Sequence, residues 1–158
     1  MVQGERPEQS AVVPQLRRRA HAAQGQARCS ALPLLLPRGP NAPSMQRVQR
    51  AQQAGRNAVR EGIAARAVDA LVRDMLAVDG FEGLFGHALG HGIGIDIHES
   101  PLLSQRNPEL LLAGEVITIE PGVYLPGAGG VRIEDDVLVL PDGSETLTHF
   151  TRDWMELG

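Results

Sequence analysis

Apolar residues recur with a helical period in two segments of the chain. In the first, which Pro43-Ser44 and Gly62 delimit, one face collects Met45, Val48, Ala51, Ala54 and Ala58. In the second, which Gly80 closes, the i, i+3, i+4, i+7 and i+8 positions are Val68, Leu71, Val72, Met75 and Leu76. The pattern predicts two helices packed as an antiparallel pair.

The last third of the chain has the pattern of β-strands. Val116 to Ile119 form a short β-branched run that leads to Glu120, and residues 131–140 form a longer run before the Pro141-Asp142-Gly143 turn. Helices therefore come first and strands last. This order predicts an α+β fold rather than repeating βαβ units.

Residues 1–43 differ from the rest of the chain in pattern and charge. They are rich in Arg, Ala, Gln and Pro and have neither period, so they predict a disordered or non-homologous segment ahead of one domain over 44–158. Residues 1–47 carry a net charge of +5, whereas 48–158 carry −9. We expect limited proteolysis to remove the front first.

Composition excludes several classes of protein. The 158 residues are 42% hydrophobic, 22% charged and 3% aromatic, which is enough for one aliphatic core. The single cysteine, Cys29, rules out an internal disulfide and a Cys-rich zinc site, and no apolar run is long enough to span a membrane. Arg17 to Arg19 stand without aromatic neighbours in an acidic protein, so no nucleic-acid partner is expected. The predicted compartment is the cytoplasm.

Three histidines, His87, His91 and His98, fall within twelve residues, among glycines at 86, 90, 92 and 94. A lone histidine is more often structural and a glycine cluster more often a turn, but this density favours a metal or substrate site. The alternation of Ile93, Ile95 and Ile97 with polar residues predicts a strand that directs His98 toward a polar interior.

Two carboxylates complete a candidate ligand set. Glu120 directly precedes a proline, so its backbone is held extended. Glu134 is predicted in mid-strand, on the same pleat face as Arg132 and Asp136, where a buried charge must be paired or bound to a metal. His91, Glu120 and Glu134 together supply one nitrogen and two oxygen ligands for a divalent ion.

These blocks resemble the metal-binding half of the pita-bread metallopeptidases, and within them the Xaa-Pro aminopeptidase and prolidase branch. The matching blocks are His87-x-x-Gly-His91-Gly-Ile-Gly-x-Asp-Ile-His98-Glu99-x-Pro101, Ile-Thr-Ile-Glu120-Pro-Gly-Val-Tyr124 and Gly-Gly-Val-Arg132-Ile-Glu134-Asp-Asp. The resemblance is specific from about Phe85 to Thr148, looser over residues 44–80 and absent before them. It implies a partial pita-bread domain, with two helices on a curved antiparallel sheet.

The resemblance also implies an activity, the hydrolysis of the bond before proline by a metal-activated water, in a peptide with proline at its second position. His91 and Glu120 would bind one divalent metal (Mn, Co or Zn), Glu134 would bridge to a second, and Glu120 would manage the proton of the water. His98 would stabilise the carbonyl oxygen in the reaction. The substrate pocket would further comprise His87, Arg132 and Tyr124, with His87 counted among the catalytic residues.

One departure from the family limits this interpretation. The family completes a dinuclear site with two aspartates, in blocks resembling Asp-x-Gly and Ser-Asp-x-Thr-Arg, yet this chain has no Asp before Asp69. We therefore expect one ion at most, with Asp96, Asp135 and Asp136 as the only local substitutes.

Three interpretations follow from the missing aspartates. Residues 1–43 are not the native front of the family, or the enzyme is mononuclear, or the chain is a non-catalytic pita-bread module that binds peptides or proteins. A missing strand would also expose a sheet edge, which would allow a homodimer.

Overall fold

The computed structural model describes residues 41–152, with side chains from Ser44 onward. Helix α1 spans Asn41–Ala58 and helix α2 spans Ala65–Leu76, and α2 continues through one wider turn, Ala77–Phe81. The strands are β1 (Gly90–Gly92), β2 (Glu99–Leu103), β3 (Val116–Ile119), β4 (Gly122–Leu125), β5 (Gly129–Arg132), β6 (Asp135–Leu140) and β7 (Gly143–Thr146). Helices precede strands in the described part of the chain, as the sequence predicts for an α+β fold.

The predicted helix boundaries are approximate. Helix α1 begins at Asn41, three residues before the predicted Ser44, and ends at Ala58, before Gly62. Residues 1–40 lie outside the described residues, and so does most of the segment predicted to be disordered. Leu71, predicted on the apolar face of α2, is 40% exposed, because the buried stripe runs through Val68, Val72 and Leu76.

The two helices pack antiparallel, as predicted. Arg47, in the first half of α1, donates to the carbonyl oxygen of Asp79 at 3.0 Å, and Asp79 lies in the wider turn at the end of α2. Gly55 lies at the close approach of the helices, since a Cβ atom there would lie 2.8 Å from a methyl carbon of Val72. The missing side chain thus explains a glycine in mid-helix, where it costs about 1 kcal/mol in helix propensity.

A five-stranded antiparallel sheet in the order β2-β1-β3-β6-β7 faces the helices. The buried core joins both layers, and its largest members are Leu76, Leu89, Leu103, Leu111, Ile117, Ile119 and Leu138. The aliphatic core expected from the scarcity of aromatics is therefore confirmed for the described residues.

Strands β4 and β5 form a separate two-stranded ribbon, but they continue the register of β3 and β6. Ile119 pairs with Asp135 at one end of the main sheet, and Gly122 pairs with Arg132 where the ribbon begins. The long strand predicted over 131–140 is therefore wrong, because the ladder opens between these two pairs. Pro121 stands at the opening, has no N–H to donate, and only accepts a hydrogen bond from the N–H of Ile133 at 3.3 Å.

The segment that carries His98 is a loop rather than the predicted strand. Strand β1 ends at Gly92. The Glu99 carboxylate accepts a hydrogen bond from the N–H of Asp96 at 2.8 Å, and this contact joins two parts of the loop. Ile95 is fully exposed and Ile97 is 76% exposed, so the alternating isoleucines do not share a buried face.

Candidate metal and substrate site

The opening between β3 and β6 brings the two predicted glutamates face to face. Carried on by one residue, the register that pairs Ile119 with Asp135 places Glu120 directly opposite Glu134. Like charges in directly opposed positions destabilise a ribbon unless a cation lies between them. Arg132 partly fills that role, with one terminal nitrogen 3.8 Å from Glu120 and the other 3.5 Å from Glu134.

Strand β1 brings His91 against Glu120. A Cβ atom at Gly90 would collide with the carbonyl oxygen of Thr118, so only glycine allows β1 and β3 to approach this closely. The Thr118 hydroxyl accepts the N–H of His91 and donates to Glu120 Oε1, both at 3.0 Å. His91 Nε2 then lies 3.2 Å from Glu120 Oε1, and both side chains are 12% exposed.

The tautomer of His91 decides what this contact means. Its Nδ1 lies 3.0 Å from the carbonyl oxygen of Gly92 and must donate its proton there. A neutral His91 therefore points the lone pair of Nε2 at a carboxylate oxygen. Two electron donors at this distance require a cation between them or a proton on Nε2, and histidine nitrogen with carboxylate oxygen is a ligand pair that divalent ions accept.

Glu134 and Asp136 complete the charge on this face. Burial and the nearby charge of Glu120 raise the pKa of Glu134, which Arg132 and His91 partly offset. Burial and the charge of Asp135 raise the pKa of Asp136. Within residues 41–152 no three His, Cys, Asp or Glu side chains gather tightly enough to hold an ion. The candidate donors nevertheless are of the chemical types that divalent ions bind. His91 and Glu120 are in contact, and Glu134 lies opposite Glu120.

The remaining aspartates weighed from the sequence do not approach this donor set. Asp135 points to the opposite face, as its alternation predicts, and is buried against arginines on the helix side. Asp96 is exposed in the loop after β1.

Of the predicted substrate residues, His98 lies beside the metal donors. Its ring centroid is 4.3 Å from that of His91, and the residue is exposed. Its predicted strand is wrong, but the structure places the His98 ring in contact with the ring of His91.

His87 and Tyr124 form a second group above Gly122. His87 Nδ1 donates to the carbonyl oxygen of Ala88 at 2.8 Å, so Nε2 accepts the Tyr124 hydroxyl at 3.3 Å. A Cβ atom on Gly122 would lie within 3.2 Å of both partners, which places this pair two residues from Glu120.

An ion pair on α2 that the sequence interpretation missed supports this part of the site. Asp69 is fully buried and binds Arg73 through two hydrogen bonds of 3.0 Å. Arg73 donates to the carbonyl oxygens of Phe85 and His87, and Asp69 accepts the N–H of Leu89. An acid and an arginine four residues apart beside the apolar stripe were the available signal.

A model of Metallopeptidase family M24 matches residues 35–141, and the chain belongs to this family. The chain is 43% identical over 106 residues to an Xaa-Pro dipeptidase of Pyrococcus horikoshii, which covers 67% of the chain and 30% of the relative. An uncharacterized peptidase, YqhT, of Bacillus subtilis is 45% identical over 103 residues, or 65% of the chain and 29% of the relative.

Solved structures give the same result for the fold. The Xaa-Pro dipeptidase from Bacillus anthracis superposes with a TM-score of 0.70 at 43% identity, over 72% of this chain and 32% of that one. The prolidase from Pyrococcus furiosus gives 0.67 at 42% identity, over 68% and 32%. The partial pita-bread architecture is therefore confirmed, and the chain spans less than a third of the length of these relatives.

The family match also bears on where the domain begins. The family match begins at residue 35, inside the segment predicted to be non-homologous, and the boundary at 43/44 stays a prediction.

Among residues 41–152, no helix has both the length and the apolar character needed to cross a bilayer.

Proposed function

We propose that this chain supplies the metal-binding and peptide-facing part of a metal-dependent exopeptidase of the Xaa-Pro type, which hydrolyses the bond before proline. The observation that carries the proposal is the contact of His91 Nε2 with a carboxylate oxygen of Glu120, 3.2 Å away, with Glu134 opposite. The names of its relatives, Xaa-Pro dipeptidase and prolidase, support the substrate class of a peptide with proline at its second position.

His91, Glu120 and Glu134 would hold the divalent ion, Mn, Co or Zn. Bound there, such an ion supplies a Lewis acid for the scissile carbonyl and an activated water. One carboxylate oxygen of Glu134 lies 3.5 Å from Arg132, which leaves the other oxygen available as a ligand. Arg132 then stays beside the carboxylates and balances their charge.

The protein's own side chains perform the proton and binding steps. Glu120 takes the proton of the attacking water, and the Thr118 hydroxyl holds one of its oxygens in place. His98, exposed beside His91, donates a hydrogen bond to the carbonyl oxygen as charge develops there. His87, whose Nε2 accepts the Tyr124 hydroxyl, faces the peptide.

The charge of the site indicates one ion rather than two. Two divalent ions carry a charge of about +4, which the glutamates alone do not balance. No Asp precedes Asp69 in the sequence, Asp135 is buried on the opposite face, and Asp96 is exposed in the loop after β1. Even with Asp136 on the same face, three carboxylates leave the charge of two ions unbalanced. We expect at most one equivalent of Mn, Co or Zn per chain, and two equivalents lost together in a His91→Ala variant would contradict this.

The same missing aspartates favour a second candidate function, a non-catalytic module that binds peptides or proteins. Hydrolysis separates the two. An enzyme cleaves Ala-Pro or Gly-Pro bonds in a reaction that a chelator stops and added Mn restores. A binding module retains proline-containing peptides on a column or in a titration without cleaving them.

The origin of residues 1–43 has its own test. Translation of the upstream coding DNA in three frames reveals whether Asp-x-Gly and Ser-Asp-x-Thr-Arg occur in register with Ser44. Their presence makes this chain a damaged or misassigned copy of a dinuclear peptidase, and their absence favours a one-metal enzyme or a binder.

Localisation and assembly remain part of the proposal. We expect a cytoplasmic protein with no membrane or nucleic-acid partner. Strand β2 is an edge of the described sheet, so pairing through it would produce a homodimer. Sedimentation at several concentrations would reveal that dimer.

A further inference from the structure

A glutamine under the sheet connects the neighbours of both candidate metal-binding glutamates. Gln52 lies on α1 and is completely buried. Its Nε2 donates to the carbonyl oxygen of Ile119 at 3.4 Å and to the carboxylate of Asp135 at 2.5 Å. Ile119 directly precedes Glu120, and Asp135 directly follows Glu134. One side chain thus links the strand ends from which the two glutamates project.

Gln52 is held in this orientation by its surroundings. Arg56 Nε donates to Gln52 Oε1 at 3.0 Å, which directs the amide nitrogen toward the strands. Arg152 donates to both oxygens of Asp135, at 2.8 and 2.6 Å, and Arg56 lies 3.4 Å from the same carboxylate. A buried amide has no water to bond, so losing one of these hydrogen bonds costs free energy. The contacts of Gln52 therefore restrict the positions that the two strand ends can adopt.

The location of Gln52 matters because the ladder opens just beyond it. Ile119 and Asp135 are the last pair of the main sheet, and the opposed glutamates follow immediately. Opposed charges on Glu120 and Glu134 favour separation of the strand ends, at a point where proline removes one ladder donor. We propose that Gln52 is a positioning residue that sets the separation of Glu120 and Glu134, and through it the affinity of the chain for a divalent cation.

This inference rests on the proposed metal function. The alternative interpretation is that Gln52 only stabilises the core. A structural role alone would lower the melting temperature and leave the dissociation constant of the folded protein unchanged. A positioning role changes the dissociation constant itself. Replacement of supporting polar residues around metal ligands typically weakens binding by about 10- to 100-fold.

The test compares Gln52→Met with Gln46→Met. Gln46 lies on the same helix and is exposed, so it is a matched control. Co²⁺ is titrated into the full chain and followed by its visible absorption, well below each melting temperature. We expect binding about tenfold weaker in Gln52→Met and unchanged in the control. Equal affinities in wild type and folded Gln52→Met would overturn the inference.

A second measurement needs neither metal nor activity. Amide hydrogen exchange compares the N–H of Ile133, bonded to Pro121 at the opening, with that of Val139, bonded to Glu115 further along β6. We expect Gln52→Met to accelerate exchange at Ile133 selectively, and Gln52→Asn, a smaller perturbation of the fold, to do the same. Equal acceleration at both amides would indicate a purely structural role.

The two measurements also separate the two proposals. If the wild-type chain binds no Co²⁺ but Gln52→Met still accelerates exchange selectively at Ile133, the metal function is refuted while the positioning of the strand ends is retained. A chain that binds Co²⁺ equally with and without Gln52 would refute the positioning alone.

Discussion

Glu134 and Asp135 are adjacent acidic residues with opposite surroundings. Asp135 is 1% exposed on the helix side, where Gln52, Arg56 and Arg152 surround its carboxylate. Glu134 is 29% exposed on the other side, and Arg132, 3.5 Å away, is its ion-pair partner among the described residues. Because successive side chains of an extended backbone point to opposite faces, the Asp135 carboxylate enters a network of hydrogen bonds and ion pairs, while that of Glu134 faces Glu120.

The contrast separates stability from function. On the closed side the charges are compensated, so removing one leaves its partners buried without compensation. On the open side burial and Glu120 raise the pKa of Glu134, which means that its ionised form is disfavoured in the metal-free protein. Charge left uncompensated in this way is typical of a site that binds a cation.

The largest effect is expected on the closed side. Asp135→Asn keeps the shape of the side chain but leaves Arg56 and Arg152 around a neutral group. We expect the free energy of unfolding to fall by about 3 kcal/mol, measured by urea denaturation. A loss within about 0.5 kcal/mol, the range of ordinary surface substitutions, would contradict the comparison.

On the open side, His91→Ala should cost binding rather than stability. The side chain is 12% exposed and faces Glu120, so its removal takes away the nitrogen ligand. We expect Co²⁺ affinity to fall by on the order of 100-fold, with a small change in melting temperature. His149→Ala, at an exposed histidine outside the proposed donor set, is the control and should bind as wild type does.

A smaller effect of opposite sign is expected for Glu134→Gln in the presence of chelator. Removing one of two opposed charges should stabilise the metal-free protein at neutral pH by up to about 1 kcal/mol, while Co²⁺ binding weakens. Loss of stability in chelator would show that the pair with Arg132 outweighs the repulsion.

The pH dependence follows from the same raised pKa. The folded state holds the Glu134 proton to higher pH than the unfolded state, so this group favours folding at low pH and opposes it once ionised. Stability of the metal-free protein should therefore fall as pH rises from the ordinary glutamate pKa through the raised value. Glu134→Gln should flatten that slope, and an unchanged slope would assign it to other groups such as Asp136.

The smallest effect is expected at the exposed loop. Ile95 is fully exposed, so Ile95→Ser should change the free energy of unfolding by less than about 0.5 kcal/mol. Thermal denaturation checks this. A larger loss would mean that this isoleucine is covered in solution, as in the proposed homodimer.

Much of this arrangement could be predicted before the structure. Periodicity located both helices, and alternation placed Glu134 and Asp135 on opposite faces. The residue types and spacing of His91, Glu120 and Glu134 indicated a candidate donor set, of which the structure brings His91 and Glu120 into contact. These properties are local, since they depend on neighbours within a few positions along the chain.

Several features escaped prediction for one physical reason. The ladder opening at Pro121, the backbone contacts of the Asp69–Arg73 pair and the Gln52 bridge all depend on groups that lie far away along the chain. In the sequence pattern Gln52 is an ordinary polar residue of a helix, yet in the structure it contacts Asp135, 83 positions away. No periodicity records such a contact.

The amino-acid sequence by itself determined the order of the elements, the faces of the strands and the chemical types of the ligands, because side-chain period and residue chemistry are local. Only the tertiary structure decided that Glu120 and Glu134 stand opposite each other, that His91 Nε2 contacts Glu120, and that a buried glutamine joins the strand ends. Those distances are set by packing between segments far apart in the chain, where burial makes every polar contact costly to lose.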